Sequence, residues 1–255
     1  MYILFDIGAT NLRLASSGDG KTLAQTVTFP TPQKFDAAIE LLKTEAVKLA
    51  AGQKINGVAG GVAGRLNKDK SIIVHAANLQ DWSDKPLIKT LSEMFNCPVK
   101  VENDCAVGAL GESNFGEGQE LENFVYIAIG TGIGGAWIAN KNLVDGSYSF
   151  GIGHQVIDPT GPLCPAHNQP GHLESYIHEP DFKKYFAIGL YNTILHWPTE
   201  LVILNGGVVQ GANWQADEIK QELEKLTKGR SYNIPVKIST LGDKAGFYGA
   251  LTLLS

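Results

Sequence analysis

Two glycine turns, each set between two apolar strands, constrain this chain more than any other feature. The first runs Ile3-Leu4-Phe5-Asp6-Ile7-Gly8-Ala9-Thr10-Asn11-Leu12-Arg13-Leu14-Ala15. The second, half a chain later, runs Phe124-Val125-Tyr126-Ile127-Ala128-Ile129-Gly130-Thr131-Gly132-Ile133-Gly134-Gly135-Ala136-Trp137-Ile138. A tight turn rich in glycine exposes bare backbone N–H groups, which bind phosphate oxygens. One such hairpin in each half predicts a duplicated fold that grips a polyphosphate from two sides.

Two look-alikes fall away on context. Gly130 to Gly135 has the spacing of a dinucleotide turn, which needs a following helix to hold the pyrophosphate. Ala136-Trp137-Ile138-Ala139 continues as strand instead. Gly18-Asp19-Gly20-Lys21-Thr22 ends like a P-loop, but Ala15 stands where its first glycine belongs. Composition narrows the partners. A net charge of −5, with no basic stretch carrying interleaved aromatics, argues against nucleic acid or an anionic membrane. No apolar run has membrane-spanning length, and no basic region precedes the first apolar run. Cys97, Cys105 and Cys164 make no disulfide framework, so a cytoplasmic setting is expected.

Periodicity predicts a strand meander at 2–7, 11–16 and 22–28, then a helix over 33–51. Strands at 55–61 and 71–75, a helix at 85–95, a strand at 98–102 and a helix at 105–112 follow. After the second hairpin, 151–175 reads as irregular. A helix over 181–197, a strand at 201–204, a helix over 214–227, a strand at 236–239 and a helix at 245–254 complete the chain. A meander and then alternating helix and strand, stated twice, is a mixed-sheet α/β design. The boundary is expected near 111–118, giving lobes 1–114 and 115–255, with the last helix crossing back.

Four places carry candidate chemistry. Asp6 ends a strand just before the first turn, where a carboxylate can hold Mg²⁺ or cap the turn's own N–H groups. Glu102-Asn103-Asp104 lies at a strand end and opens a helix. Asn or Asp there serves as an N-cap; alternatively, Asp104 is a general base with Asn103 orienting a neighbouring hydroxyl. Asn205-Gly206-Gly207 follows an apolar strand, and its glycines would let an adenine or ribose lie against backbone. Finally, His154, Cys164, His167 and His172 could close a tetrahedral Zn²⁺ site pinning a loop poor in apolar residues. Exposed loop histidines are the other reading, and spacing leaves both open.

Taken together and in order, these motifs resemble the ROK family of sugar kinases and regulators, in the actin/hexokinase-like ATPase superfamily. The resemblance covers nearly the whole chain. Phe5-Asp6-Ile7-Gly8-Ala9-Thr10-Asn11 resembles the family's first phosphate motif, and Gly130-Thr131-Gly132 to Gly135 the second. Val62-Ala63-Gly64-Arg65 and Asn78-Leu79-Gln80-Asp81-Trp82 stand at its sugar-contacting stretches. Glu102-Asn103-Asp104 matches its catalytic motif, Leu204-Asn205-Gly206-Gly207 its adenosine motif, and Leu241-Gly242-Asp243-Lys244-Ala245-Gly246 its C-terminal signature.

The resemblance implies a two-lobed, actin-like (duplicated ribonuclease H-like) α/β fold with an interdomain cleft. It implies ATP and Mg²⁺, with Asp6, Gly8, Ala9, Thr10, Asn11, Gly130, Thr131, Gly132, Gly206 and Gly207 on the nucleotide side. Gly64, Arg65, Asn78, Asn103, Asp104, His154 and Glu174 would meet a hexose or N-acylhexosamine, with Asp104 as base toward O6. A homodimer is a family-level expectation.

Three departures from the family pattern stand out. Two zinc-motif cysteines are replaced by His167 and His172, with one residue inserted. Both replacements remain zinc ligands, and the resemblance places His154 on both metal and sugar. Gly151 stands where the family has a sugar-binding Glu, so one hydrogen bond to the sugar is lost or supplied elsewhere, and preference can shift from glucose. The segment between Glu174 and Leu201 is short, leaving about one helix where the family has several. A catalytically silent sugar sensor is the alternative function. The zinc-type loop disfavours a filament ATPase, and the start at the first phosphate strand disfavours a DNA-binding regulator.

Overall fold

The computed structural model describes residues 1–79, 81–144, 150–227 and 234–254. In chain order the first half holds β1 (Tyr2–Ile7), β2 (Asn11–Ser17), β3 (Thr26–Pro30), α1 (Phe35–Ala50), β4 (Gly57–Val62), β5 (Arg65–Leu66), β6 (Ile73–His75), α2 (Leu87–Phe95), β7 (Val99–Asn103) and α3 (Asp104–Phe115). The second holds β8 (Phe124–Ile129), β9 (Ile133–Ala139), β10 (Asn142–Leu143), α4 (Phe182–His196), β11 (Leu201–Asn205), α5 (Gly207–Gly211), α6 (Ala216–Thr227), β12 (Val236–Ile238) and α7 (Ala245–Leu254). The chain divides into two compact units, Met1–Phe115 with Lys244–Ser255, and Gly116–Asp243.

The duplication is explicit in the sheets. One has the order β3-β2-β1-β4-β7, the other β10-β9-β8-β11-β12. In each, an antiparallel meander meets two parallel strands. This is the mixed α/β architecture that the twice-stated pattern predicts.

Side-chain alternation along β1 builds the first unit. Ile3, Phe5 and Ile7 pack into a core with Phe35, Leu42 and Leu49 of α1. Leu4 faces the opposite way, into a core with Val107 of α3 and Phe247, Ala250 and Leu251 of α7. Asp6 shares that second face. Two glycines let α3 and α7 touch: a Cβ on Gly249 would stand 1.7 Å from the Val107 carbonyl oxygen, and one on Gly111 would stand 2.2 Å from that of Ala245. In the second unit, Val125, Ile127 and Ile129 of β8 and Val202 and Leu204 of β11 pack with Phe186 and Leu190 of α4 and Ile219 of α6.

Several boundaries differ from expectation for local reasons. The third strand starts at Thr26 rather than 22, because the Asp19 carboxylate accepts the N–H groups of Lys21 and Thr22 and holds them in a turn. The strand expected at 71–75 starts at Ile73, since Asp69 accepts the Ser71 N–H and hydroxyl. The first helix stops at Ala50 because Ala51 is left-handed, with φ 47°. The short β5, β10 and α5 carry too few residues to show a period. Gln80, inside the 78–82 stretch, lies outside the described residues.

Candidate functional site

In the first unit, parallel pairing brings strand ends together. Asp6 lies opposite Gly61 and Val62 opposite Asn103, so Asp6 and the Asn103-Asp104 pair emerge at one sheet edge. The turn after Asp6 is closed by the Gly8 N–H donating to the Asn11 carbonyl at 2.9 Å. Thr31 braces it from outside: its hydroxyl donates to the Gly8 carbonyl at 2.7 Å, and its N–H to that of Thr10 at 2.9 Å. Asn103 caps α3, its Oδ1 accepting the N–H groups of Cys105 and Ala106. Its amide nitrogen donates to Asp104 Oδ1 at 2.9 Å and to the Gly64 carbonyl at 3.2 Å, which ties the 64–75 hairpin to the same edge.

Asp104 keeps part of its surface open. Desolvation by the surrounding protein, and then the nearby Asp6 charge, push its carboxyl up to about 7; hydrogen bonds from Cys105 and Asn103 pull only weakly the other way. Two carboxylates held this way suit a shared divalent cation, which would relieve their repulsion. Asp6 also takes a partner from directly across the hairpin, Arg13, at 3.1 Å.

The second unit repeats the edge with neutral groups. The Gly130 N–H donates to the Gly132 carbonyl at 2.9 Å, closing its turn. Asn205 at the end of β11 lies opposite Ala128, so the 205–207 turn stands beside the glycine turn. The buried Asn205 amide donates to the Tyr126 hydroxyl at 2.9 Å and to the Gly242 carbonyl at 3.0 Å, gathering the C-terminal signature. Gly206 is left-handed at φ 100°, and a Cβ there would stand 2.4 Å from the Ile129 carbonyl oxygen.

The loop after the second hairpin gathers His154, Cys164, His167, His172 and Glu174, whose potential ligand atoms all lie within 4.8 Å of one another. Cys164 Sγ is 3.6 Å from His167 Nδ1 and 3.0 Å from Glu174 Oε1; His154 Nδ1 is 3.3 Å from the same oxygen. Zinc bonds of about 2.0–2.3 Å set tetrahedral ligand atoms roughly 3.3–3.8 Å apart. His172 Nε2 meets the Gln169 amide oxygen at 3.1 Å, whereas its Nδ1 is buried with no hydrogen-bond partner among the described residues. With the Gln169 amide oxygen turned to it, Nε2 would carry the proton and Nδ1 would keep its lone pair, as a ligating imidazole requires. Burial raises the Cys164 thiol, helped by Glu174, and lowers His172. Burial pulls the Glu174 carboxyl up, but hydrogen bonds to His154 and Cys164 leave it lowered overall. The donor set fits zinc.

Of the remaining residues named from the sequence, Asn78 is exposed between buried Ala76 and Leu79, and Trp82 is spent in the core, edge-on to Phe35. Ala9 sits within the first turn, Arg65 pairs with His75 across β5 and β6, and Gly207 opens α5. Sequence reasoning passed over Arg13, Lys70 and Gln169. Hairpin register could have found Arg13, which sits as far beyond the turn as Asp6 sits before it. Lys70, which pairs with Glu102, gives no such signal, because 32 residues separate them.

Residues 2–186 match the model of the ROK family. The chain belongs to the ROK family. This ROK protein is 32% identical over 173 residues to a glucokinase of Streptomyces coelicolor, a match covering 67% of this chain and 54% of that one. It is 28% identical over 212 residues to a xylose repressor of Caldicellulosiruptor bescii, covering 78% and 53%. It thus spans about half the length of the curated relatives it matches. Its fold aligns with a crystal structure of a ROK family glucokinase from Streptomyces griseus in complex with glucose and AMPPNP. The TM-score is 0.86 and the identity 24%, over 99% of this chain and 98% of the other. Among the described residues, no helix is long and apolar enough to cross a membrane.

Proposed function

We propose that this ROK protein is an ATP-dependent sugar kinase acting on a hexose or N-acylhexosamine, with Asp104 as general base toward O6. The placement of Asp104 at the strand-end edge beside Asp6 and the first glycine turn carries this reading, and its raised carboxyl suits the role. A base whose pKa lies near neutrality holds a proton well enough to take one from a hydroxyl and is still ionised often enough to act. Asp104 would accept the hydroxyl proton as the sugar oxygen forms its bond to the γ-phosphorus. The bond from that phosphorus to the ADP oxygen breaks in line. Asn103, fixed by its two cap bonds and by Gly64, would orient a neighbouring hydroxyl, with Arg65, Asn78, His154 and Glu174 as further sugar contacts.

The backbone of the Gly8–Thr10 turn, with Asn11 beside it, and of the Gly130–Gly132 turn would cradle phosphate oxygens, the N–H groups after Gly8 and Gly130 being the donors because those two close the turns, and Gly206-Gly207 would face the adenosine. Asp6 would hold Mg²⁺, which when bound neutralises charge on the phosphates. His154, Cys164, His167 and His172 would hold a structural Zn²⁺, whose contribution is to pin the loop. The glucokinase relative and the glucose- and AMPPNP-bound structure support the sugar and ATP assignments.

A second reading, a sugar sensor without turnover, draws on the xylose repressor relative and on Gly151, which supplies no side chain to the sugar. Coupled ADP release across hexoses and N-acetylhexosamines separates the two. The kinase reading expects sugar-dependent ADP release with at least one of them. Sugar binding without ADP release from any would favour the sensor.

A further inference from the structure

Five potential ligands converge in the 154–174 loop, one more than a closed tetrahedral shell needs. Charge indicates what the fifth does. A divalent cation held by one thiolate and three neutral imidazoles carries one net positive charge. Cys164 and His172 are almost fully buried, and an uncompensated charge there is costly. Glu174 is the carboxylate at hand, its Oε1 already against both Cys164 and His154.

Glu174 also reaches the other way. On that side it faces the hairpin near Ile133, the residue that follows Gly130-Thr131-Gly132. Its Oε2 lies over Gly153, where an added Cβ would stand 3.1 Å from that oxygen and 2.4 Å from the Ile133 carbonyl oxygen. The loop therefore lies directly on the hairpin, with a glycine at the point of closest approach. Beside it, Ile152 packs so near Gly135 that a Cβ there would meet its Cδ1 at 2.3 Å.

We propose that Glu174 is itself a ligand of the metal centre, and that through Gly153, packed between its carboxylate and Ile133, it ties occupancy of that centre to the order of the Gly130–Gly132 turn. The proposal rests on the metal reading of the loop and not on phosphoryl transfer. Its test needs neither sugar nor ATP, so it and the kinase reading can fail separately.

Metal-free wild type and Glu174→Gln would each be loaded with Co²⁺, recorded in the visible range and titrated against a chromophoric chelator. The wild type is expected to show the weak bands of five-coordinate cobalt. Glu174→Gln should show the stronger bands of a four-coordinate ion and bind it at least about tenfold more weakly. In the wild type, removing the metal should speed hydrogen exchange at the Ile133 amide at least about tenfold. Identical spectra and affinities for the two proteins would overturn the ligand assignment, as would a wild type that takes up neither cobalt nor zinc. Unchanged exchange at Ile133 would overturn the tie to the turn. Should Glu174→Gln fail to fold, X-ray absorption of the zinc-loaded wild type decides: five neighbours are expected, and four contradict the proposal.

Discussion

The two sheet edges are built alike and equipped differently. Each ends a β-hairpin in a glycine turn and sets beside it the end of a parallel strand. The first edge carries Asp6, Arg13 and Asp104, close enough for one carboxylate to shift another. The second carries backbone amides, the neutral Asn205 and a left-handed Gly206. Duplication supplied the same geometry twice, and a few side chains divided the labour. Under the proposed function, proton transfer falls to the first edge, phosphate contacts to both turns and the adenosine to the second.

Substitutions can break that division. Asp104→Asn is nearly isosteric and keeps a group for the α3 cap, but cannot take a proton. It should lower sugar-dependent turnover by roughly 10²–10⁴-fold while leaving nucleotide affinity within about twofold, read by steady-state kinetics and calorimetric titration of AMPPNP. Gly206→Ala should do the reverse. Its Cβ meets the Ile129 carbonyl in a backbone region unfavourable to L-residues, so nucleotide affinity should fall about tenfold or more. Stability should fall by about 1–3 kcal/mol in the same protein, measured by denaturant unfolding. If Gly206→Ala lowers turnover at saturating ATP as much as Asp104→Asn does, the two edges are not separable.

The raised Asp104 carboxyl has its own stability signature. A folded-state pKa above the unfolded value favours folding fully below about 3.8, and that contribution is lost as pH rises through about 7. Asp104→Asn should therefore melt a few degrees above the wild type at pH 8, with the gap shrinking by pH 5, in thermal scans. At the small end, the exposed Lys48 of α1, paired with Glu45, belongs to neither edge, and Lys48→Ala should change stability by no more than about 0.5 kcal/mol.

Much of this was legible in the sequence, for identifiable reasons. The hairpins announce themselves as apolar runs broken by glycine turns, α7 as a run rich in apolar residues, and α1 because Phe35, Ile39, Leu42, Ala46 and Leu49 form one buried stripe. Asn103 and Asp104 could be singled out because a cap position and a strand end coincide. The boundaries near Thr22 and Ser71 were hidden because the side chains of Asp19 and Asp69 took backbone donors that a strand would use. The second role of Glu174 was hidden for another reason. Spacing places it after the loop, and only the folded loop brings its carboxylate to Cys164 and His154 at once.

The pH dependence of kcat/KM for sugar phosphorylation reads the base in the free protein. With Asp104 as the base, kcat/KM should fall about tenfold per pH unit below about pH 7. A profile flat down to the ordinary carboxylate range, near pH 4, would show that the group at this edge does not take the proton.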